Sequence, residues 1–217
     1  MRTDGKLVPG RGLGFFVCFL AITASALDRE KTITQFAHQS WGAKAGLESV
    51  NGIAQTTDGY LWVATGSGLF RFDGLTFKRW DSRGIPGIAM RLHATSEGSL
   101  WVTSGRGNSR YLTRICNGQS KTYSTNDGFP DAYVSSVCER RDGSIWVSCK
   151  LGLFKLAGER WQDVTAELGL PKYQMFGLLE DRNENLWLAS IKSARLDEDG
   201  RLAFLPRGAP RFVHVIA

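Results

Sequence analysis

Four short segments of the chain share one pattern of polar and apolar residues, and each is built around a tryptophan. Every segment opens with turn-forming residues and continues into a run that is apolar at nearly every position. The segments are residues 58–64, 97–103, 142–148 and 183–189. Turn residues followed by such a run predict a β-hairpin whose second strand is buried on both faces.

The tryptophans of these segments recur at a nearly constant spacing. Trp62, Trp101, Trp146 and Trp187 lie 39, 45 and 41 residues apart. A repeat of about 40–45 residues made of short strands is typical of a β-propeller, in which each repeat is one four-stranded blade. We therefore predict an all-β fold with about four four-stranded antiparallel blades of an incomplete ring. The alternative is a β-sandwich whose tryptophans share this spacing by accident.

Other positions repeat in step with the tryptophans and predict the remaining strands of each blade. Apolar residues nine and twelve positions before each tryptophan predict the core of a first strand. They are Ile53, Leu92, Val137 and Leu178, and Val50, Ala89, Val134 and Met175. Third strands ending in tight turns are predicted at 68–74 and 152–158, and outermost fourth strands at 77–80, 121–123 and 160–161. Two positions after each tryptophan stands a small residue, which fits the narrow part of a wedge near a propeller axis.

These elements resemble the two-component regulator propeller repeats. The resemblance rests on Asp-Gly-x-Leu-Trp-Val-Ala-Thr at 58–65, Gly-Leu-Phe-Arg-Phe-Asp-Gly at 68–74, and Gly-x-Pro corners at 84–86, 128–130 and 169–171. It covers about 32–217, although the second repeat lacks Gly-Leu-Phe and the fourth has Asn-Glu-Asn for Asp-Gly. In that family the repeats form seven-bladed propellers, the extracytoplasmic sensor region of bacterial hybrid histidine kinases and diguanylate cyclases.

The resemblance also implies parts that this sequence does not contain. In the family an immunoglobulin-like linker, a membrane helix and a cytoplasmic output domain follow the propeller. Residues 211–217 read as the opening strand of a fifth repeat, and 32–41 followed by Gly46-Leu47 as a fourth strand and corner. An open arc of four blades exposes two apolar sheet faces. We interpret the chain as a truncated product that lacks its remaining blades, or as one that closes by self-association into a homo-oligomer.

The first 26 residues are typical of a secretory signal peptide. Arg2, Lys6 and Arg11 form a basic region, residues 13–22 an apolar stretch, and Ala24-Ser25-Ala26 a small-residue cleavage site. The alternative is an uncleaved anchor, but ten apolar residues fall short of the roughly 20 needed to cross a bilayer. We predict a signal peptide at 1–26, a partial propeller at 27–217, and export to the periplasm.

Composition and charge limit the choice of partners. The formal charge is +6, from 27 basic and 21 acidic residues, without a basic block. Nucleic-acid binding is therefore not expected. Export would place Cys116, Cys138 and Cys149 in an oxidising compartment. A two-residue Asp142-Gly143 turn would set Cys138 opposite Val147 and Cys149 opposite Ser136, too far apart for a disulfide, so we expect three free, mostly buried thiols.

Catalytic signals in the sequence are weak. His38, His93 and His214 have no second ligand at metal spacing, and Ser67 and the Gly105-Arg106-Gly107 stretch lack the helix that a nucleophile elbow or a phosphate loop requires. Glu139 with Glu180, or Asp73 with Asp142, would make acid pairs, but at turn and strand-end positions where repeated acids are ordinarily solvated. No metal and no cofactor are expected.

One connection is longer than its counterparts and suggests a ligand site. The five extra residues fall within 104–110 and carry Arg106, Asn108 and Arg110, while Tyr133 lies beside the next corner. Polar length on a propeller mouth predicts a recognition loop for a small molecule or glycan, with a flexible surface loop as the alternative. We predict a non-catalytic sensor. A lyase- or hydrolase-type propeller enzyme and a protein-interaction scaffold remain the alternatives, although Ser49, Ile88, Tyr133 and Gln174 on the mouth supply no acid–base cluster.

Overall fold

The computed structural model describes residues 39–80, 84–107, 109–172, 175–190 and 193–205. Within these ranges sixteen strands form four antiparallel sheets of four strands, and each sheet takes its strands in chain order. The sheets are the predicted blades. Two short 3-10 helices, Ala43–Ala45 and Thr125–Asp127, lie in the connections. The predicted signal peptide and the start of a fifth repeat at 211–217 lie outside the described residues.

The strand bounds agree closely with the expected third and fourth strands. Blade 1 contains β1 (Val50–Gln55), β2 (Leu61–Thr65), β3 (Gly68–Phe72) and β4 (Phe77–Arg79). Blade 2 contains β5 (Ile88–Ala94), β6 (Leu100–Arg106), β7 (Ser109–Cys116) and β8 (Gln119–Tyr123). Blade 3 contains β9 (Val134–Glu139), β10 (Ile145–Cys149), β11 (Gly152–Ala157) and β12 (Arg160–Asp163). Blade 4 contains β13 (Met175–Glu180), β14 (Leu186–Ser190), β15 (Ala194–Leu196) and β16 (Leu202–Phe204).

The blades pack face to face through their tryptophans, as the doubly apolar second strands require. Trp62 packs against Leu100 and Val102 of blade 2. In the same way Trp101 packs in one cluster with Val147 of blade 3, and Trp146 with Leu188 of blade 4. The small residues two positions after the tryptophans, from Ala64 to Ala189, are all buried. The faces of Trp62, Trp101 and Trp146 are therefore each covered by the blade that follows.

A β-bulge explains why core residues of the first strands are three positions apart. Alternation along a strand would place such residues on opposite faces. In β9 the register shifts between the pairs Ser136–Ser148 and Val134–Cys149, so that Ser135 is an extra residue. Val134 and Val137 consequently face blade 2 together. The same shift recurs in β1, β5 and β13, which makes it a property of the repeat.

The predicted two-residue turn and the register drawn from it are wrong. The Arg140 N–H donates to Ser144 O, and the Gly143 N–H donates to Arg140 O, so the turn holds three residues with Gly143 in the left-handed region. This geometry needs one residue more than a two-residue turn. Cys138 therefore pairs with Trp146, and Cys149 with Val134. Within the described ranges all three thiols are free; Cys138 and Cys149 are buried, whereas Cys116 is only partly buried.

The expected core position of the first strand fails in blade 1. Ile53 is 59% exposed and Val50 is also exposed, because among the described residues no blade packs on that face of β1. Leu179 and Phe176 are similarly exposed on blade 4. In the middle of the arc, by contrast, Val134 and other residues at these positions are buried. Burial at these positions thus depends on a neighbouring blade rather than on the strand itself.

The corners repeat as expected, and the segment before β1 continues the pattern in part. The N–H groups of Leu47, Phe129 and Leu170 each donate to a carbonyl five residues earlier. Residues 39–42 are not in a strand, which corrects the described end of the predicted strand at 32–41, while 32–38 lie outside the described part. Trp41 instead packs edge-on against Phe72, with ring centroids 5.0 Å apart.

Candidate functional site

The first strands of the four blades line one concave cavity of about 1160 Å³. Asn51 of β1, Arg91 of β5, Ser135 of β9 and Leu178 of β13 all border it. The cavity lies where the bulges and the narrow ends of the blades meet, which gives it walls from every blade. It is much larger than a second pocket of about 220 Å³ beside Tyr123.

Acidic side chains at the ends of β9 and β13 join neighbouring blades at one rim of the cavity. Glu139 accepts hydrogen bonds from the backbone N–H and the hydroxyl of Ser96, both at 2.7 Å, in the preceding blade. Glu180 accepts from Arg140 Nε at 2.9 Å and from the Arg141 N–H at 2.5 Å. Because Ser96 and Arg141 occupy equivalent turn positions, the two glutamates repeat the same tie between blades.

The ion pair between Arg140 and Glu180 is largely withdrawn from water. Their side chains are only 15% and 11% exposed, so the expectation that Glu180 is solvated is wrong. Arg140 Nη2 also donates to the backbone oxygen of Glu184. A charge pair of this kind is favourable only when its hydrogen bonds are satisfied, as they are here. Its place at a blade seam makes it a structural link.

The third carboxylate that borders the cavity is fixed within its own turn. Asp181 accepts from Trp187 Nε1 at 2.8 Å and from Asn185, and these hydrogen bonds, led by that of Trp187, lower its pKa to about 2. Asp181 therefore stays ionised above the acid range. In the described residues each of the three acids at the cavity is thus held in hydrogen bonds.

His93 borders the cavity as a neutral base. Burial lowers its pKa, and the nearby negative charge of Glu139 only partly opposes that effect. Its Nε2 has no hydrogen-bond partner within the described ranges. His93 lies on β5 directly opposite Trp101. The imidazole is thus uncharged at neutral pH and free to bond a small molecule.

The predicted ligand residues are only partly brought together. The Arg110 guanidinium carbon lies 5.9 Å from the centroid of the Tyr133 ring. The backbone N–H of Arg110 donates to the carboxylate of Asp131. Tyr133 borders the cavity, whereas Arg106 and Arg110 do not. Asn108 lies outside the described residues. Of the three candidates that the structure describes, Tyr133 is the one at the central cavity.

The extra residues of 104–110 form a longer hairpin rather than a loop. β6 runs to Arg106 and β7 starts at Ser109, with these two residues paired across a tight turn. The two strands are longer here because Gly105 and Arg110 also pair across the sheet. In addition, Arg110 Nη1 donates a hydrogen bond to Gly107 O at 2.7 Å. The extension is therefore an ordered projection of blade 2.

The sequence analysis named Glu139 and Glu180 as an acid pair but did not predict the charged rim that they form with the preceding blades. Glu139 and Glu180 each stand seven positions before a repeat tryptophan, and Gln55 and Ala94 occupy the same position in the other blades. A full alignment of the repeats would have shown two acids at one register. That their carboxylates reach the preceding blade depended on the twist between sheets, which no single repeat encodes.

Several solved structures are similar to this fold. The virginiamycin B lyase of Staphylococcus aureus matches with a TM-score of 0.58 and 18% identity, over 75% of this chain and 57% of the lyase. The extracellular domain of a hybrid two-component system of B. thetaiotaomicron matches at 0.56 and 18%, over 79% of this chain and 23% of that one. A gluconolactonase of Xanthomonas campestris matches at 0.51 and 15%, over 71% and 61%.

The fold is a β-propeller. No protein-family model matches the sequence, and no curated protein matches it. The propeller spans little more than half of the lyase and about a quarter of the extracellular domain. At such low identity the likeness shows the fold alone, and the similar structures include both a sensor domain and enzymes.

Among the described residues no three His, Cys, Asp or Glu side chains come together as ligands. In the same part of the chain no helix is long and apolar enough to span a bilayer.

Proposed function

We propose that this propeller is the non-catalytic, ligand-binding part of an exported bacterial sensor of the two-component regulator propeller type. Two findings support the proposal: the repeat motifs of the sequence, and the likeness of the fold to the extracellular domain of a hybrid two-component system. Ligand-dependent changes in the blades would be passed to an output domain. The exposed faces of blades 1 and 4 would be covered by further blades or by a second copy.

The observation that carries this proposal is the state of the cavity acids. General acid–base catalysis needs a carboxyl group free to exchange a proton with the substrate. Glu139, Glu180 and Asp181 are instead engaged with Ser96, with Arg140 and Arg141, and with Trp187. The bonds of Glu139 and Glu180 link adjacent blades, and those of Asp181 lower its pKa to about 2. The arrangement favours binding over proton transfer.

The ligand we propose is a small uncharged molecule or a glycan. Tyr133 gives the cavity an aromatic face on which a sugar ring can stack, and His93 adds a neutral hydrogen-bonding group. The bound sugar would displace water from Leu92 and other apolar walls. Neither a metal nor a cofactor is needed for this recognition.

The full-length chain should bind a neutral oligosaccharide without changing it. We expect saturable quenching of tryptophan fluorescence by a member of a neutral oligosaccharide panel, and Tyr133→Ala should weaken it about tenfold. Tyr111→Ala is the matched control, because Tyr111 does not border the cavity. No saturation by any member of the panel would contradict the proposal.

The enzyme alternative is tested on the same sample by mass spectrometry. Quinupristin and a gluconolactone serve as substrates, since solved propellers similar to this one include a lyase crystallised with the first and a gluconolactonase. The lyase in that complex is an inactive variant in which a histidine is replaced by alanine. Turnover that is lost in His93→Ala would replace the sensor proposal with an enzymatic one.

Export is tested with residues 1–40 fused to an alkaline phosphatase that lacks its own signal. Because the phosphatase folds only in an oxidising compartment, we expect activity from the fusion. Phe16→Arg should abolish it by placing a charge in the apolar stretch, and Thr3→Ser should not. Equal activity of the Phe16→Arg fusion would contradict export through this segment.

A further inference from the structure

The first strands of blades 2 and 3 stand apart, and the central cavity extends between them. β5 lies close to β1, and β13 lies close to β9, whereas β5 and β9 approach each other much less. The cavity consequently reaches past β5 to Trp101 and Thr103 on β6. We call the space between β5 with Trp101 and β9 the blade 2–3 cleft. Trp101 is the one repeat tryptophan that borders the cavity.

The indole of Trp101 breaks a pattern that the other repeats keep. Trp62 Nε1 donates to Thr56 Oγ1 at 3.0 Å, Trp146 Nε1 to Ser144 Oγ at 2.8 Å, and Trp187 Nε1 to Asp181 Oδ2 at 2.8 Å. Each of these acceptors lies in the turn just before its tryptophan. Trp101 is only 1% exposed, yet its Nε1 has no hydrogen-bond acceptor in the part of the chain that the structure describes.

The turn of blade 2 contains suitable acceptors but uses them elsewhere. Thr95 and Ser99 stand at the positions that Thr56 and Ser144 hold in their own repeats. Thr95 Oγ1 donates to Ser99 O, and Ser99 Oγ receives Arg114 Nε at 3.0 Å. The turn is thereby closed without the indole. The unpaired N–H of Trp101 is a particular feature of blade 2.

A second unpaired polar atom lies opposite the first. His93 pairs with Trp101 across β5 and β6, so their side chains share the face toward blade 3. His93 Nε2 also has no partner among the described residues and is closed off from solvent. A buried polar group left without a hydrogen-bond partner costs free energy. A molecule that bonds both atoms would remove that cost from both.

The chemistry of the cleft favours an uncharged ligand. Neither the indole N–H nor the neutral imidazole can compensate a buried charge. Arg140 and Glu139, the nearest ions of blade 3, are already engaged with Glu180 and Ser96. The wall that Val137 contributes is apolar. β5 and β9 belong to different sheets, so a ligand between them interrupts no strand pair.

We propose that the blade 2–3 cleft binds a compact uncharged molecule that accepts a hydrogen bond from Trp101 Nε1 and forms another with His93 Nε2. An oxygen acceptor beside an N–H or hydroxyl group meets this requirement, as in the amide of a lactam or the neighbouring hydroxyl groups of a sugar. This inference rests on the proposed binding function, to which it adds a place and a ligand class. Both hydrogen bonds would come from blade 2, and the ligand would pack against Val137 of blade 3.

The test uses 2-pyrrolidinone as a probe and the indole ¹⁵N–¹H signals of the full chain as the readout. The seven tryptophans give seven signals, and Trp101→Phe assigns the one of interest. We expect the probe to shift the Trp101 signal saturably. The signals of Trp62, Trp146 and Trp187, whose N–H groups are bonded within their own turns, should stay in place and act as internal controls.

The His93→Leu variant separates the cleft from non-specific effects. It keeps the bulk of the side chain but removes the polar atom. We expect it to weaken the binding of the probe by about tenfold, equivalent to about 1.4 kcal/mol. The unchanged control signals report that the variant is folded. Two results would overturn the proposal and leave ordered water as the only occupant. In the first, the Trp101 signal shifts only at probe concentrations that shift all seven signals together. In the second, the Trp101 signal shifts equally in the parent chain and in His93→Leu. If an oligosaccharide still quenches fluorescence in that case, the binding function stands and only the cleft is wrong.

Discussion

Replacing Glu180 with alanine should destabilise the propeller by about 3–5 kcal/mol, the cost of breaking a buried ion pair from one side. Arg140 would keep its charge in a site that is only 15% exposed, and the Arg141 N–H would lose its acceptor. Both bonds cross from blade 3 to blade 4. The loss should therefore separate the two blades as well as lower the free energy of unfolding.

Glu184→Ala is the matched control for Glu180→Ala. Its carboxylate pairs with Arg141 at 3.0 Å, but both side chains are about half exposed, so the change should cost no more than about 1 kcal/mol. The backbone oxygen of Glu184, which accepts from Arg140, is kept. Urea unfolding followed by tryptophan fluorescence measures both variants. Equal midpoints would refute the structural role given to Glu180.

Gly128→Ala should cost about 3–5 kcal/mol, from two separate sources. The residue has φ of 79°, where an L side chain is strained. A Cβ at this position would also lie 2.4 Å from Trp161 O, a backbone atom of β12 that cannot turn aside. The corner between blades 2 and 3 would have to move away from β12. Thermal unfolding of the variant and of the parent chain measures the loss.

Gly143→Ala isolates the conformational part of that effect. Gly143 has nearly the same φ, 78°, but nothing lies within 4 Å of the Cβ it would carry. We expect about 1–2 kcal/mol for this change, which contains the strain without the clash. If the two alanine variants unfold at the same temperature, the contact between the corner and β12 does not contribute as described.

Much of the fold could be read from the chain because the repeat is local. Trp62, Trp101, Trp146 and Trp187 with their turn residues predicted four blades, and the structure contains four. The buried small residues after the tryptophans followed from the same alternation. The turn length did not, since a three-residue turn with a left-handed glycine and a two-residue turn share the Asp-Gly signal. The error shifted the predicted partner of Cys138 by one position, to Val147, whereas Cys138 pairs with Trp146 in the structure.

The candidate site was predicted less well because its residues come from different blades. Tyr133 was placed at the cavity, but Arg106 and Arg110 belong to a hairpin that projects elsewhere. His93 was set aside because the sequence offers no second ligand at metal spacing. Its unpaired Nε2 became visible only when its burial and its neighbours were known.

The sequence by itself determined the unit of this protein: the strand order, the buried tryptophan strand and the positions of the turns, all of which depend on residues within one repeat. The tertiary structure decided what lies between the units. The exposure of Ile53, the ties made by Glu139 and Glu180, and the wider spacing of β5 and β9 depend on the angle and distance at which blades meet. That geometry results from packing between side chains about 40 residues apart, and alternation along a single strand carries no information about it.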